Sequence, residues 1–267
     1  MANTKKNIYF IINPASGTSS KNDLPEKITE TIDIDKLNVE IFITEYAGHG
    51  AEIAKKAVKD GIEYVIAVGG DGTVNEVARS LVGSDTALGI IPMGSGNGLG
   101  RDLQIPTNAK KAIQVIAEEH VIDIDYAEVA AKAAGKKKRG TLMYVKNMLE
   151  LYFEQTPQTY EIIHPGGSIK DEAFVVTCAN ASQYGYEAHI APHADIQDGK
   201  MNVIILKPLS ILDVPQTSIQ LFTQKLDNNK NMIELITNKV TIKREKEGVM
   251  HIDGDPIPMG TEINVEI

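Results

Sequence analysis

The stretch YVIAVGGDGTVNEVARSLV, residues 64–82, opens as a β-branched apolar run and closes on a helical pattern of apolar residues. Between the two stand Gly69, Gly70, Asp71, Gly72 and Thr73. The flanking sequence repeats this strand-to-helix step. Strand-like runs occur at 7–14, 39–44 and 87–94, and helical patterns at 19–32, 48–61 (with Gly61 placed as a stop) and 108–119. Regular β-α alternation predicts an α/β domain built on a parallel sheet with helices on both faces. The pattern changes near residue 123. Strand-like segments at 172–180, 201–208, 238–245, 248–253 and 262–267, separated by turn residues, predict an antiparallel second domain, a sandwich or barrel. The expected division is a nucleotide-binding α/β domain over 1–123 and a β-rich domain over 124–267.

Composition bounds the function. The 267 residues suffice for two ordinary domains, and 42% hydrophobic with 24% charged residues is usual for a soluble chain. A net charge of −9 argues against nucleic acid as a partner. Cys178 is the single cysteine, so no intrachain disulfide can form, which fits a reducing compartment. The N-terminal apolar run is too short for a signal-peptide core, and no stretch reaches the ~20 apolar residues of a membrane span. The expected location is cytoplasmic, with peripheral contact at the inner membrane face left open.

Glycines at a strand-helix turn suit a phosphate. The group approaches a backbone closely only where side chains are absent, glycine reaches positive φ without steric cost, and the helix adds its positive N-terminal end. Gly69, Gly70 and Gly72 fit that use, and Thr73 can cap the helix or donate to a phosphate oxygen. Asp71 would repel a bare phosphate and makes sense with a divalent cation between them. The alternative is a tight turn with Asp71 as N-cap. A carboxylate at a solvent-facing turn costs little to neutralise, so Asp71→Asn is expected to leave the fold intact.

A second glycine loop, GIIPMGSGNGLGRDLQIP at 89–106, follows the next strand and offers Gly94, Ser95, Gly96 and Asn97. Two such loops after consecutive parallel strands lie side by side at the carboxyl edge of the sheet. Neither is a P-loop or a dinucleotide fingerprint. NPASG at 13–17, with Asn13, Ser16 and Gly17, follows the first strand and could close the same cleft, though alone it is an ordinary turn.

NPASG, VGGDGTVNEV, LGIIPMGSGNGLGRDLQIP and, near the end, HIDGDP together resemble the diacylglycerol kinase catalytic family, and GSGNGL is similar to its sphingosine-kinase variant. The resemblance spans nearly the whole chain. It implies an N-terminal domain like that of phosphofructokinase and NAD kinase, a C-terminal antiparallel β-sandwich that helps bind lipid, and a place in lipid metabolism such as phospholipid biosynthesis. It implies transfer of the ATP γ-phosphate to a lipid hydroxyl with Mg²⁺. Asn13, Thr44, Gly69 to Thr73 and Ser95 would contact nucleotide, with Ser16, Gly17, Asn75, Glu76, Gly94, Gly96 and Asn97 from the same motifs. Asp71 and Asp125 would join the metal-water network. Asp198, Lys200 and Asn202 fall where the family can hold a structural cation, partly by main-chain oxygens.

MHIDGDPIP supplies two carboxylates around a glycine. Strand alternation would put Asp253 and Asp255 on one face if Gly254 stays extended; the alternative is a β-turn with purely local hydrogen bonds. The resemblance puts the catalytic base at the second position, Asp255, with Asp253 next in line. Departures from the family are Gly98 for a common Asp, Thr18 for a common basic residue, DGD for DGE, and the lack of a Gly-Phe-Asp-like turn after DIDYAEV.

Other features carry plainer readings. His189 and His193 are four apart, but Pro192 argues against a helix, so a surface loop is expected. GKKKRG (135–140) reads as a solvated loop or, through Lys136, Lys137, Lys138 and Arg139, as an attraction to anionic bilayers. YVKNMLELYF (144–153) reads as core helix, and Cys178 as buried. A lipid kinase, a soluble-substrate kinase of NAD kinase type and a catalytically impaired nucleotide- or lipid-binding homologue all remain open. The expected partners are a lipid substrate and a membrane surface, with homodimerisation open.

Overall fold

The computed structural model describes residues 5–17, 21–133, 157–184, 187–253 and 255–267. It divides into two compact units, Met1–Ile122 and Asp123–Ile267. In the first, β1 (Lys6–Ile12), β2 (Leu37–Ile43), β3 (Tyr64–Gly69) and β4 (Ala87–Pro92) form a parallel sheet in the order β2-β1-β3-β4. The helices are α1 (Leu24–Thr31), α2 (His49–Lys59), α3 (Asp71–Leu81), a single turn α4 (Gly98–Asp102), and α5 (Ala109–Ala117).

Strand alternation explains the two layers. Ile8, Phe10, Ile12, Ile66 and Val68 face one side and pack with Leu24 and Ile28 of α1 and Ala112 and Ile113 of α5. Tyr9, Ile11, Val65 and Ala67 face the other and pack with Ile53, Ala54 and Ala57 of α2 and Val74, Val77 and Leu81 of α3. β1 and β3 are central and covered on both faces, so they read as unbroken apolar runs. Asn108 caps α5 by accepting from the Lys111 amide at 3.1 Å.

The second unit is an antiparallel sandwich. One sheet runs β12 (Gly248–Ile252), β13 (Asp255–Glu266), β11 (Lys239–Arg244), β6 (Gln158–His164), β7 (Gly167–Ala173), with β5 (Glu128–Ala133) also on β13. The other runs β10 (Met232–Thr237), β9 (Met201–Leu206), β8 (Val175–Ala179). Met201, Val203 and Ile205 of β9 meet Ile162, Val240, Ile242, Ile263 and Val265 of the larger sheet. Ile204, on the opposite face of β9, packs under α6 (Val214–Phe222) with Leu221 and Leu226. This accounts for β9 being buried at every position.

Two sequence expectations are corrected here. The single strand expected at 172–180 is two: β7 pairs β6 in one sheet, β8 pairs β9 in the other, and the chain changes sheet at Phe174. The alternation placing Asp253 and Asp255 on one strand face also fails. Ile252 of β12 pairs with Asp255 of β13, so Asp253 stands past the end of β12 rather than within a continuous strand. Asp253 is left-handed at φ 49°, which breaks the extended alternation. Gly254, Thr18, the basic run 135–140 and the stretch 144–153 lie outside the described residues.

Candidate functional site

The carboxyl ends of the first unit's strands lie in register. The Thr44 amide donates to Ile12 O (2.9 Å), Asn13 to Val68 O (3.0 Å) and Met93 to Gly69 O (2.8 Å). The three motif loops therefore leave the sheet side by side, and side-chain bonds tie them together. Asn13 Nδ2 donates to Thr73 Oγ1 at 2.9 Å, while Asn13 Oδ1 accepts from the Ala15 amide at 3.0 Å. Thr73 is buried and joins the first loop to the second. Ser16 Oγ donates back to Asn13 O at 3.0 Å.

Asp71 is the first residue of α3, and Gly70, not Asp71, is the N-cap. The Asp71 carboxylate reaches across to the next loop. Oδ2 accepts from the Asn97 amide at 2.8 Å and Oδ1 from the Gly98 amide at 2.6 Å. Asn97 in turn accepts from the Gly94 amide (2.9 Å) and donates to Gly94 O (2.7 Å), holding a left-handed φ of 54°.

The glycines divide by what surrounds them. A Cβ on Gly94 would stand 2.5 Å from Gly70 Cα, and one on Gly96 would stand 2.6 Å from Asp71 Oδ2. One on Gly69 would strike Thr73 Oγ1, and one on Gly17, at φ +64°, would strike Met93 O. Gly17, Gly94 and Gly96 are required by loop-on-loop packing, and Gly69 by the Thr73 side chain of its own turn. Positive φ, the second of the two reasons expected for glycine at 69, 70 and 72 beside close approach of a phosphate, is found at none of them. Gly72 alone of that trio has no atom within 4 Å of the Cβ position. Among the described residues, nothing inside the protein accepts from the Asp71 and Gly72 amides, as is usual for a first helical turn.

Other expected residues have local duties. Glu76 Oε1 accepts from the Ala51 amide at 3.1 Å in the first turn of α2, and Asn75 Oδ1 accepts from Arg79 Nε. Ser95 is exposed on the second loop. Two bracing residues were not singled out from sequence. Arg101 Nε donates to Gly96 O at 2.9 Å, and Lys21, buried, donates its ammonium to Ser16 O, with desolvation lowering its pKa. Their only signal was a cation four or five residues beyond a glycine.

The remaining expected metal residues lie in the second unit. Asp125 Oδ2 accepts from the Gly199 amide at 2.5 Å, and the Asp125 amide donates to Ile196 O at 2.6 Å. Asp198 Oδ1 accepts from the Lys200 amide at 2.9 Å. Asn202 is buried on β9 and donates to Glu234 Oε1 at 2.7 Å. Among the described residues no group of three His, Cys, Asp or Glu side chains could hold a metal ion. His193 pairs with Asp227 at 3.5 Å, and His189 contacts Ser182 and Gln224, so the two histidines do not converge. Asp255 opens β13.

The diacylglycerol kinase catalytic domain model matches residues 7–129, and that of the YegS C-terminal NAD kinase beta sandwich-like domain matches 123–265. The chain belongs to the family that joins a diacylglycerol kinase catalytic domain to a YegS C-terminal domain. Relatives include the "Probable lipid kinase YegS" of Salmonella heidelberg strain SL476, 28% identical over 277 residues (94% of this chain, 91% of that one). The protein of the same name from Escherichia coli O17:K52:H18 is 28% identical over 255 residues, 86% of this chain and 84% of that one. In fold, the chain is similar to a crystal structure of a diacylglycerol kinase from Bacillus anthracis str. Sterne. The TM-score is 0.75 and the identity 20%, covering 98% of this chain and 93% of that one. A lipid-kinase-family enzyme with a parallel α/β unit followed by a β-sandwich is thus what the sequence implied.

Proposed function

We propose that this protein is an ATP-dependent lipid kinase, transferring the γ-phosphoryl group to the hydroxyl of a diacylglycerol-like or sphingoid-like lipid. One observation carries the reading: the amides of Asp71 and Gly72, with no acceptor among the described residues, open α3 beside the one glycine of the trio with open space around it. A helix N-terminus with unused amides and no side chain in the way is a seat for phosphate oxygens. Asn13, Ser16, Gly17, Thr44, Gly69, Gly70, Thr73, Gly94, Ser95, Gly96 and Asn97 shape or line that seat. Asn75 and Glu76 support it from α3.

Mg²⁺ fits as a passenger of the nucleotide. Asp71 spends one lone pair of each oxygen on an amide and keeps the others, which suits a contact through a metal-bound water rather than a protein cage. When bound, the ion neutralises charge on the transferring phosphoryl group. The chain's own part is to orient the phosphates and to take a proton. Asp255 is proposed to accept the proton of the attacking lipid hydroxyl as the new P–O bond forms. Asp125 remains proposed for the metal-water network, and Asp198, Lys200 and Asn202 as supports, partly through main-chain oxygens, of a structural cation.

The test is a panel of lipids incubated with γ-labelled ATP and Mg²⁺ and resolved by thin-layer chromatography. Label in a diacylglycerol or sphingoid spot supports the reading. Label in NAD, or nucleotide binding with no labelled lipid, overturns it.

A further inference from the structure

The second unit carries an apolar stripe that the site does not use. α6 buries Leu221 against Ala179, Ile190, Ala191, Ile204 and Leu226, and buries Thr217, whose Oγ1 accepts from Asn229 Nδ2. At 3.6 residues per turn, Ile219 and Phe222 fall on the opposite side. They are 64% and 54% exposed, and Ile211 and Leu212 in the turn leading into the helix are 74% and 89% exposed. Single exposed apolar residues are ordinary, but four large ones clustered on one short helix and the turn leading into it mark an interaction surface.

The charge around the stripe is as telling as its apolar character. α6 has no charged side chain, in a chain of net charge −9. Residues 208–224 contain one acid, Asp213, which accepts from Ser210 Oγ at 2.7 Å and pairs with Lys230 at 3.0 Å. Lys225 follows the helix, exposed. An anionic surface approaching here meets no uncompensated acid on the helix. A second copy of the chain is a poor occupant, because stable dimers need about 20–30 residues a side and the stripe offers four.

We propose that this face docks the protein on an anionic phospholipid bilayer, with Ile211, Leu212, Ile219 and Phe222 entering the headgroup–acyl boundary. Amphipathic helices lie in that plane with the apolar side down. The proposal rests on the lipid-kinase reading, in which the substrate resides in a bilayer while no described helix is long and apolar enough to cross one.

The experiment is co-sedimentation with vesicles of phosphatidylcholine and phosphatidylglycerol, comparing the parent with Ile219→Asp/Phe222→Asp. Losing two inserted side chains is expected to weaken partitioning by about 100-fold, since each is worth about a factor of ten or more. The thermal midpoint and the turnover of a short-chain, monomerically dispersed diacylglycerol should stay at parent values. Most parental binding should survive 1 M salt, which screens charge attraction but not apolar insertion. Three results overturn the proposal: parent that does not sediment, a double variant that sediments like parent, or a parental dimer that the double variant dissolves. Vesicle binding lost in the double variant, but with neither protein phosphorylating any lipid, supports the docking face and refutes the kinase reading instead.

Discussion

Replacing Asp71 by Asn is expected to loosen the glycine loops before it affects chemistry. In the parent, both carboxylate oxygens accept backbone amides, from Asn97 at 2.8 Å and Gly98 at 2.6 Å. Asparagine can keep one of these as a neutral bond. The other amide would face the new NH₂, donor against donor. A hydrogen bond to a charged group contributes about 1.5–3 kcal/mol, and Asp71 is solvent-exposed, so the loss of one bond and the weakening of the other should cost about 2–3 kcal/mol. For a chain of this size that lowers Tm by about 5–10 °C. The sequence alone argued that neutralising this carboxylate would leave the fold intact; the two amide bonds reverse that expectation. The assay is thermal and urea unfolding without nucleotide, with amide hydrogen exchange at Asn97 and Gly98 as the local probe. Parental Tm, parental midpoint and unchanged exchange at both amides would refute the reasoning. Kinase activity would then be the place to look for the role of Asp71.

The glycines should separate by packing. Gly94→Ala forces a Cβ to 2.5 Å from Gly70 Cα and should destabilise by more than about 2 kcal/mol, whereas Gly72→Ala meets no neighbour and should hold or slightly raise Tm while weakening ATP binding; calorimetry and nucleotide titration of the pair check this. Asp255→Asn should lose most of kcat with nucleotide affinity kept, and Asp255→Glu should stay active; lipid phosphorylation by Asp255→Asn at the parental rate would move the base to Asp253. The Asp213 carboxyl is held down to about 2 by hydrogen bonds from Ser210 and then Lys230. A depressed carboxylate pKa stabilises above the unfolded value of about 3.9, and that contribution fades as pH falls from there toward 2. Asp213→Asn should therefore flatten the acid side of the urea-midpoint profile in that window. Burial pushes the Cys178 thiol up to about 12, so the native protein should resist alkylation at pH 8 and react fully once unfolded.

The parallel sheet was legible because β1 and β3 are covered on both faces, which writes them into the chain as unbroken runs such as IYFII and VIAV. The glycine loops were legible as motifs, but the reason for each glycine was not. Whether residue 70 is glycine for a ligand or for residue 94 depends on a contact between segments 24 positions apart, which no local pattern encodes. The change of sheet at Phe174 was hidden for a related reason. EAFVVTCA is apolar on both sides of the crossing, since both strands contribute to one sandwich core. The turn at Asp253 was legible in Asp-Gly, one of the two readings the sequence left open.

The back-to-back approach of Gly70 and Gly94, with Gly17 against Met93 O, has a consequence for how the protein acquires its site. Each loop is shaped by backbone contributed from another strand's end, so none can adopt its final form while the others are loose. Such long-range closures come late, after the entropy of bringing distant segments together has been met. A refolding chain should thus pass through states with much of the helix content in place and no affinity for nucleotide. Binding capacity should return in a single phase with the last tertiary signal, and ATP in the refolding buffer should slow unfolding without hastening folding.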